Sequence, residues 1–402
     1  MTTDTVSPDV SVMPPAISLL RLFLKFLRFG CLAFGGPVAQ IAMIRHALVD
    51  EEKWIDSARF NRLLAVMQIL PGPEAHELCV HLGMTARGRI GGLLAGLGFM
   101  LPGFILMLLI AWGYNTYVLG KDALHGVMLG LQVAVLAVIV RAVQRIGQHA
   151  LPNMTLLLLA LVAMGATLAE VPFWVPLLVT GLVYMAALNA PLACALVVVT
   201  SFIAWLVWPG NGVGDGAVHS GIAVPATTLA LFIAGLKGGL LTFGGAYTAI
   251  PYVRQDTVGR AWLSDATFLD GVALAGILPA PLVIFGTFAG YMAGGLSGAL
   301  AVTAGMFLPA FVFSMIFYEH LEAVVANATL HRFLDGVAAA VVGTITATLL
   351  QLAEATFMQA SNLLVPAGLL VLCLFGAWKL KGRLATPAIL AFGGIAGAIL
   401  FR

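Results

Sequence analysis

Arg28 and Lys237 are the residues whose type and setting most directly suggest chemistry in this sequence. Each base stands six residues before the phenylalanine of a Phe-Gly-Gly motif, in RFGCLAFGG from Arg28 and KGGLLTFGG from Lys237. Lys237 has no acid, lysine or arginine for about twenty residues on its amino-terminal side. A charge in so apolar a setting costs about 2.5 kcal/mol or more unless it faces a protein interior or a partner. Two such bases related by an internal axis would suit a doubly charged oxyanion. Arg28 has a competing reading as a base that snorkels to the interface, because Arg21 and Lys25 share its helix face.

A second group of titratable residues follows Pro73, in EAHELCVH. Glu74 falls in the first turn of a new helix, where free amides favour a carboxylate. Glu77 and His81 are four residues apart and share a face with Glu74, a spacing that suits a proton relay, with capping as the plainer role of Glu74. His76 points elsewhere, and the second copy of the motif reads LVIFGTFA at this place, so no metal site and no cofactor are expected and the proton chemistry is one-sided. Arg45 and Arg254 each follow the glycines by nine residues, about 13 Å along a helix. That puts them near an interface, as guards of an entrance or as plain surface charges.

The elements that must position these groups are broken helices. Gly35-Gly36-Pro37, Pro71-Gly72-Pro73 and Pro279-Ala280-Pro281 oppose an unbroken helix, because glycine lowers helix propensity and proline lacks an amide hydrogen. Backbone groups freed at membrane depth must line protein or a wet cavity, and half-helix amino termini aimed at such a cavity favour an anion. Gly35, Gly36, Gly244, Gly245, Gly72 and Ala280 are therefore expected at the anion site with Arg28 and Lys237. The plainer role of paired glycines is close helix packing.

The breaks come in two matched sets. Phe34-Gly35-Gly36 maps onto Phe243-Gly244-Gly245, Arg45 onto Arg254, Trp54 onto Trp262, ILPGP from Ile69 onto ILPAP from Ile277, and LPGF from Leu101 onto LPAF from Leu308. One apolar run, Leu192 to Trp208, has no partner. An unpaired crossing between two copies with even numbers of crossings turns the second copy over. Charge agrees with inversion. Arg21, Lys25, Arg28, Arg87, Arg89, Arg141 and Arg145 mark one set of loops in the first copy, whereas the second carries Lys379, Lys381 and Arg383 in the alternate set. The amino terminus is expected in the cytoplasm and the carboxyl terminus in the periplasm.

Composition sets the class. Of 402 residues 61% are hydrophobic and 9% charged, and a mean hydropathy of +1.02 exceeds what a water-soluble domain tolerates. The fold class is an all-α polytopic membrane protein with two inverted-topology repeats and broken or re-entrant helices, with about 13 spans or fewer if some are hairpins. Residues 1–16 read as a disordered cytoplasmic tail, 17–190 as the first repeat, 191–225 as a linker helix and loop, and 226–402 as the second repeat. Cys31, Cys79, Cys194 and Cys373 are isolated and read as small packing residues. A net charge of +2 implies nothing about nucleic acid, and with no basic patch with interleaved aromatics no nucleic-acid partner is expected. No HExxH, aspartate-rich diphosphate motif or nucleophile elbow supports an enzyme.

The chain resembles the chromate ion transporter family in its long form with two fused homologous domains. The resemblance rests on FGGPVAQ from Phe34, ILPGPEAHELCVHLG from Ile69, GFMLPGF from Gly98, FGGAYTAIPYV from Phe243 and DGVALAGILPAPLVIFGTFAGY from Asp270. Many second domains of that family read PGP where this chain has Pro279-Ala280-Pro281. The resemblance implies export of chromate across the bacterial cytoplasmic (inner) membrane, driven by the membrane potential or proton gradient and conferring chromate resistance. A carrier of sulfate or another oxyanion is the alternative, and an integral-membrane enzyme a more distant one. The expected partners are chromate or a sulfate-like oxyanion, the lipid bilayer and, as an open choice, a second copy in a homodimer. Glu74, Glu77, His81, Arg45 and Arg254 are the expected coupling or gating residues.

Overall fold

The computed structural model describes residues 17–67, 72–121, 124–207, 225–242, 245–317 and 328–401. The expected tail at 1–16, the 208–224 loop, Pro71, Phe243 and Gly244 lie outside them. In chain order the helices of the first copy are α1 (Leu19–Cys31), α2 (Gly36–Arg45), α3 (Ser57–Met67), α4 (Glu74–Tyr117), α5 (His125–Ala150), α6 (Met154–Leu168) and α7 (Trp174–Met185). The unpaired α8 (Ala190–Val207) follows. The second copy contributes α9 (Thr228–Leu240), α10 (Ile250–Thr257), α11 (Asp265–Ile277), α12 (Phe285–Val312), α13 (Ala328–Phe357), α14 (Leu364–Lys379) and α15 (Ala385–Leu400).

Matched helices begin on matched caps. Ser18 accepts from Arg21 N at 3.3 Å before α1, and Thr227 accepts from Ala230 N at 3.2 Å before α9. Asp56 and Ser264 do the same for α3 and α11, at 2.8 and 3.2 Å. Each such bond satisfies an amide that the first turn leaves free.

Helices α4 and α12 are hairpins. Arg87 and Gly88 adopt φ/ψ of −145/30° and 64/−162°, and Gly294 and Gly295 adopt −148/22° and 61/−151°. The same glycine in the left-handed region thus reverses both chains. The limbs fold back closely enough that a Cβ on Gly83 would lie 2.5 Å from Gly91 O. Gly290 and Gly298 make the equivalent contact. Arg87 and Arg89 stand exposed at the first tip.

Contacts fix the directions of the helices. α1 runs parallel to the second limb of α4, with Leu22 beside Gly91 and Gly30 beside Phe99 and Pro102. α9 runs parallel to the second limb of α12, with Leu231 beside Gly298 and Gly239 beside Met306. α5 and α13 are antiparallel, since Gln359 donates to Gln132 Oε1 at 3.1 Å while Val342 sits 3.8 Å from a Cβ built on Gly147. Corresponding helices pointing in opposite directions establish the inversion. Phe401 ends beside Gly126 at the start of α5, on the face opposite the one where α1 begins.

The copies also interlock. α5 packs against α14 and α15 of the second copy, and α13 against α6 and α7 of the first. These contacts require small residues: Gly130 faces Gly393 and Gly397, and Gly336 faces Thr180 and Gly181. Overpacking costs about 1–3 kcal/mol. Gly130→Leu should therefore lower the thermal midpoint of the purified protein, whereas Gly113→Leu, where nothing lies within 4 Å, should leave it unchanged.

The helix lengths bear on the count of spans, expected as about 13 or fewer with hairpins. Among the described residues five stretches, Glu74–Tyr117, His125–Ala150, Ala190–Val207, Leu282–Ile316 and Thr329–Phe357, are long and apolar enough to cross a membrane. α6, α7, α14 and α15 have 15, 12, 16 and 16 residues, or roughly 18–24 Å at 1.5 Å per residue. Each is too short to cross about 30 Å of hydrocarbon alone. The apolar runs that mark them in the sequence are shorter helices packed on the long α5 and α13.

Candidate functional site

The four breaks meet at the centre, each copy's glycine break against the other copy's proline break. Gly35 (φ 90°) and Gly36 (φ 77°) turn the chain from α1 into α2. A Cβ on Gly35 would lie 2.6 Å from Arg383 Cα, so only glycine fits there. Gln40 Nε2 ties this break to the second copy's by donating to Ala33 O at 2.8 Å and to Ala280 O at 3.0 Å. On the other side Gly72 N donates to Thr242 O at 2.8 Å, just before the second glycine break, where Gly245 has φ 129°.

Alanine at 280, where the first copy has Gly72, is accommodated by this crossing. Ala280 Cβ packs on Gly103, while a Cβ built on Gly72 would lie 3.5 Å from Ala310 Cβ. Each crossing therefore pairs one glycine with one alanine.

A cavity of about 730 Å³ opens beside the crossing and is lined by Gly35, Gly36, Gly245 and Glu74. Its fixed positive charges are Arg141 and Arg145 of α5 and Lys381 of the α14–α15 loop. Arg141 Nη1 donates to Leu380 O at 3.2 Å, which holds that loop against α5. The opposing acids are Glu74, 8% exposed, and Asp335, which lies 3.8 Å from His331. Backbone freed by the breaks and three fixed cations meet in one hollow between the copies, and such a hollow attracts a small dianion.

Arg28 and Lys237 do not share this hollow. Arg28 is exposed on the last turn of α1 and does not line this cavity. Lys237 is not a lone charge: its ammonium lies 2.9 Å from Asp256 Oδ2 and 4.2 Å from the centre of the Phe173 ring. Asp256 is buried and also receives Arg260 Nη2 at 3.1 Å. The physical reason is the break itself, which folds α10 back beside α9 and brings an acid from beyond Gly245 to the lysine.

The other expected residues divide between centre and surface. Gly72 and Ala280 are buried at the crossing, and Gly244 lies outside the described residues. Glu77 is fully buried against Gly72, and neither carboxyl oxygen has a hydrogen-bond partner among the described residues. His81 is 4% exposed on the same helix. His76 Nε2, in the tautomer that carries its hydrogen there, donates to Gly96 O at 3.2 Å, with the Phe307 and Phe311 rings each 4.9 Å away, so it does point elsewhere. Arg45 is a surface residue that donates to Ser57 Oγ at 2.8 Å. Arg254 is clamped, with Nε and Nη2 on the two Asp265 oxygens at 2.6 and 3.1 Å and Nη1 on Gln351 at 2.8 Å.

Arg141, Arg145 and Lys381 were legible in the sequence only as loop charges. The charge pattern assigned both clusters to one face, and that shared face was the available signal.

A family model described as chromate transporter matches residues 20–188 and 229–398, one match for each copy. A chromate transport protein of Pseudomonas aeruginosa is 52% identical over 97% of this chain and 94% of its own length. One from Cupriavidus metallidurans is 29% identical over 99% of this chain and 97% of its own length. An uncharacterized transporter of Methanocaldococcus jannaschii is 27% identical over 84% of this chain and 85% of its own. No solved structure matches the chain.

Proposed function

We propose, from the premise that this chain belongs to the chromate transporter family, that it carries chromate across the bacterial cytoplasmic membrane as a secondary transporter rather than acting as an enzyme. The observation that carries this reading is the cavity between the copies, where Gly35, Gly36 and Gly245 meet Arg141, Arg145 and Lys381. The first copy's bases, with those of the α14–α15 loop, point to a cytoplasmic amino terminus and a periplasmic carboxyl terminus. The cavity then loads from the cytoplasm, and transport is export.

Glu74 gives the coupling. An ionised carboxylate in the cavity repels a dianion, so anion binding favours the protonated form and one proton accompanies each anion. Export of a dianion with one proton moves one net negative charge outward. An inside-negative potential favours that movement by about 2.3 kcal/mol per charge at 100 mV, while an inward proton gradient opposes it. Fully buried Glu77, one turn further along the same face, is the next proton acceptor.

Radiolabelled chromate flux in proteoliposomes tests the reading, with sulfate as competitor and with the potential and pH gradient imposed separately. Saturable flux that follows the potential is expected. Flux no faster than through protein-free liposomes would refute transport, and sulfate flux exceeding chromate flux would make sulfate the cargo. Glu74→Gln should keep the flux but remove its pH dependence, which for one coupled proton approaches about tenfold per pH unit. A Glu74→Gln protein with an unchanged pH profile would dismiss Glu74 from coupling.

A further inference from the structure

A second cavity of about 370 Å³ lies between α10, α13 and the α6–α7 turn. It is the first cavity's counterpart under the internal repeat. α13 lines it with Thr344, Thr348 and Gln351 where α5 lines the other with Val138, Ala142 and Arg145. Glu170 (φ 60°), just ahead of α7, matches Gly382 (φ 102°), just ahead of α15. Because α5 and α13 are antiparallel, the two hollows lie towards opposite faces.

They differ in depth and in charge. The first reaches three break glycines, whereas the second reaches none among the described residues and ends at Tyr252 and the clamped Arg254. Tyr252 is fully buried, and its hydroxyl has no hydrogen-bond partner among the described residues. An orphaned hydroxyl at membrane depth is costly unless something visits it. Its ring packs on Phe173, 5.4 Å between centres, which in turn carries Lys237. Glu170 and Glu354 stand where the first cavity's side of the repeat carries no acid.

We propose that the second cavity is the opposite-face half of the transport path, an anion release site where Arg254 and the Tyr252 hydroxyl receive the tetrahedral dianion loaded in the first. This rests on the transport reading above. In the structure described, Asp265 occupies the guanidinium fork that the anion would take. Arrival of the dianion displaces Asp265, and the acidic surroundings of Glu170 and Glu354 hold the anion weakly, which favours departure.

The test uses the full chain with its four cysteines replaced by serine, carrying Ala142→Cys, Thr348→Cys or Met358→Cys, in right-side-out and everted vesicles. The probe is an anionic, membrane-impermeant methanethiosulfonate. Ala142→Cys should label from one face only. Met358→Cys and Thr348→Cys should label from the other, the latter slowly and several-fold faster when Asp265→Asn frees Arg254. Arg254→Gln should lose at least tenfold in flux, and Arg254→Lys should recover part of it.

Labelling of Thr348→Cys from the Ala142 face would overturn the proposal, as would a Thr348→Cys protein inert in both backgrounds while Met358→Cys reacts. Wild-type flux in Arg254→Gln would remove the anion from the site. Opposite-face labelling in a protein without chromate flux would instead sink the transport reading and leave the two-sided geometry standing.

Discussion

Arg141→Gln together with Arg145→Gln should reduce chromate affinity at least a hundredfold in proteoliposomes while the protein still inserts and folds. Both side chains line the cavity that the breaks open into, and neither has an acidic partner in an ion pair among the described residues. A hydrogen bond to a charged group contributes about 1.5–3 kcal/mol. Arg145 is exposed, which reduces its share through solvent screening. The pair still amounts to about 3 kcal/mol, or a factor beyond a hundred. Arg141→Gln alone should also loosen the α14–α15 loop, because Nη1 holds Leu380 O. Lys379→Gln is the control: Lys379 lies over the Phe375 ring and outside the cavity, so it should transport normally. Equal losses in the double variant and in Lys379→Gln would mean that general surface charge, not the cavity, attracts the anion.

Lys237→Met has the other large expected effect, on stability. It leaves Asp256 buried with Arg260 as its remaining cation. Removing one partner of a buried pair costs about 3–5 kcal/mol, because the other charge stays behind uncompensated. The Arg260 contact places this case near the lower end. The variant should therefore show a lowered thermal midpoint in detergent and reduced folded yield. Lys237→Met with Asp256→Asn should regain most of both, since the paired substitution removes both charges together. A lysine that binds the anion directly would behave differently. Lys237→Met would then fold normally without transporting, and Asp256→Asn would restore nothing.

These two predictions follow from where the chain's few charges fall in space. Spacing alone makes Arg28 and Lys237 equivalent, six residues before matching phenylalanines, yet the fold gives them unlike surroundings. Lys237 acquires Asp256 because α10 returns beside α9, whereas Arg28 stays exposed on α1. Position 47 of the first copy, an alanine, holds no acid to match Asp256. The clamp on Arg254 likewise joins Asp265 and Gln351, residues 11 and 97 positions away. Local pattern carries no trace of such a partnership.

Other features were written in the sequence plainly enough to be read. The hydropathy, the repeated Phe-Gly-Gly and proline motifs, the unpaired α8 and the alternation of basic loops together specify a membrane protein of two inverted copies. Each of these is a local property, set by what bilayer solvation, proline and glycine permit over a few residues. Even the exchange of glycine and alanine between LPGF with ILPGP and LPAF with ILPAP is visible as letters, although its meaning is not. Only the tertiary structure decided that Gly72 meets Ala310 and Gly103 meets Ala280, that α4 and α12 double back, and that Arg141, Arg145 and Lys381 enclose the central cavity. Those outcomes depend on which surfaces pack when two copies interlock. Packing brings together residues far apart in the chain, and local periodicity does not encode their distance.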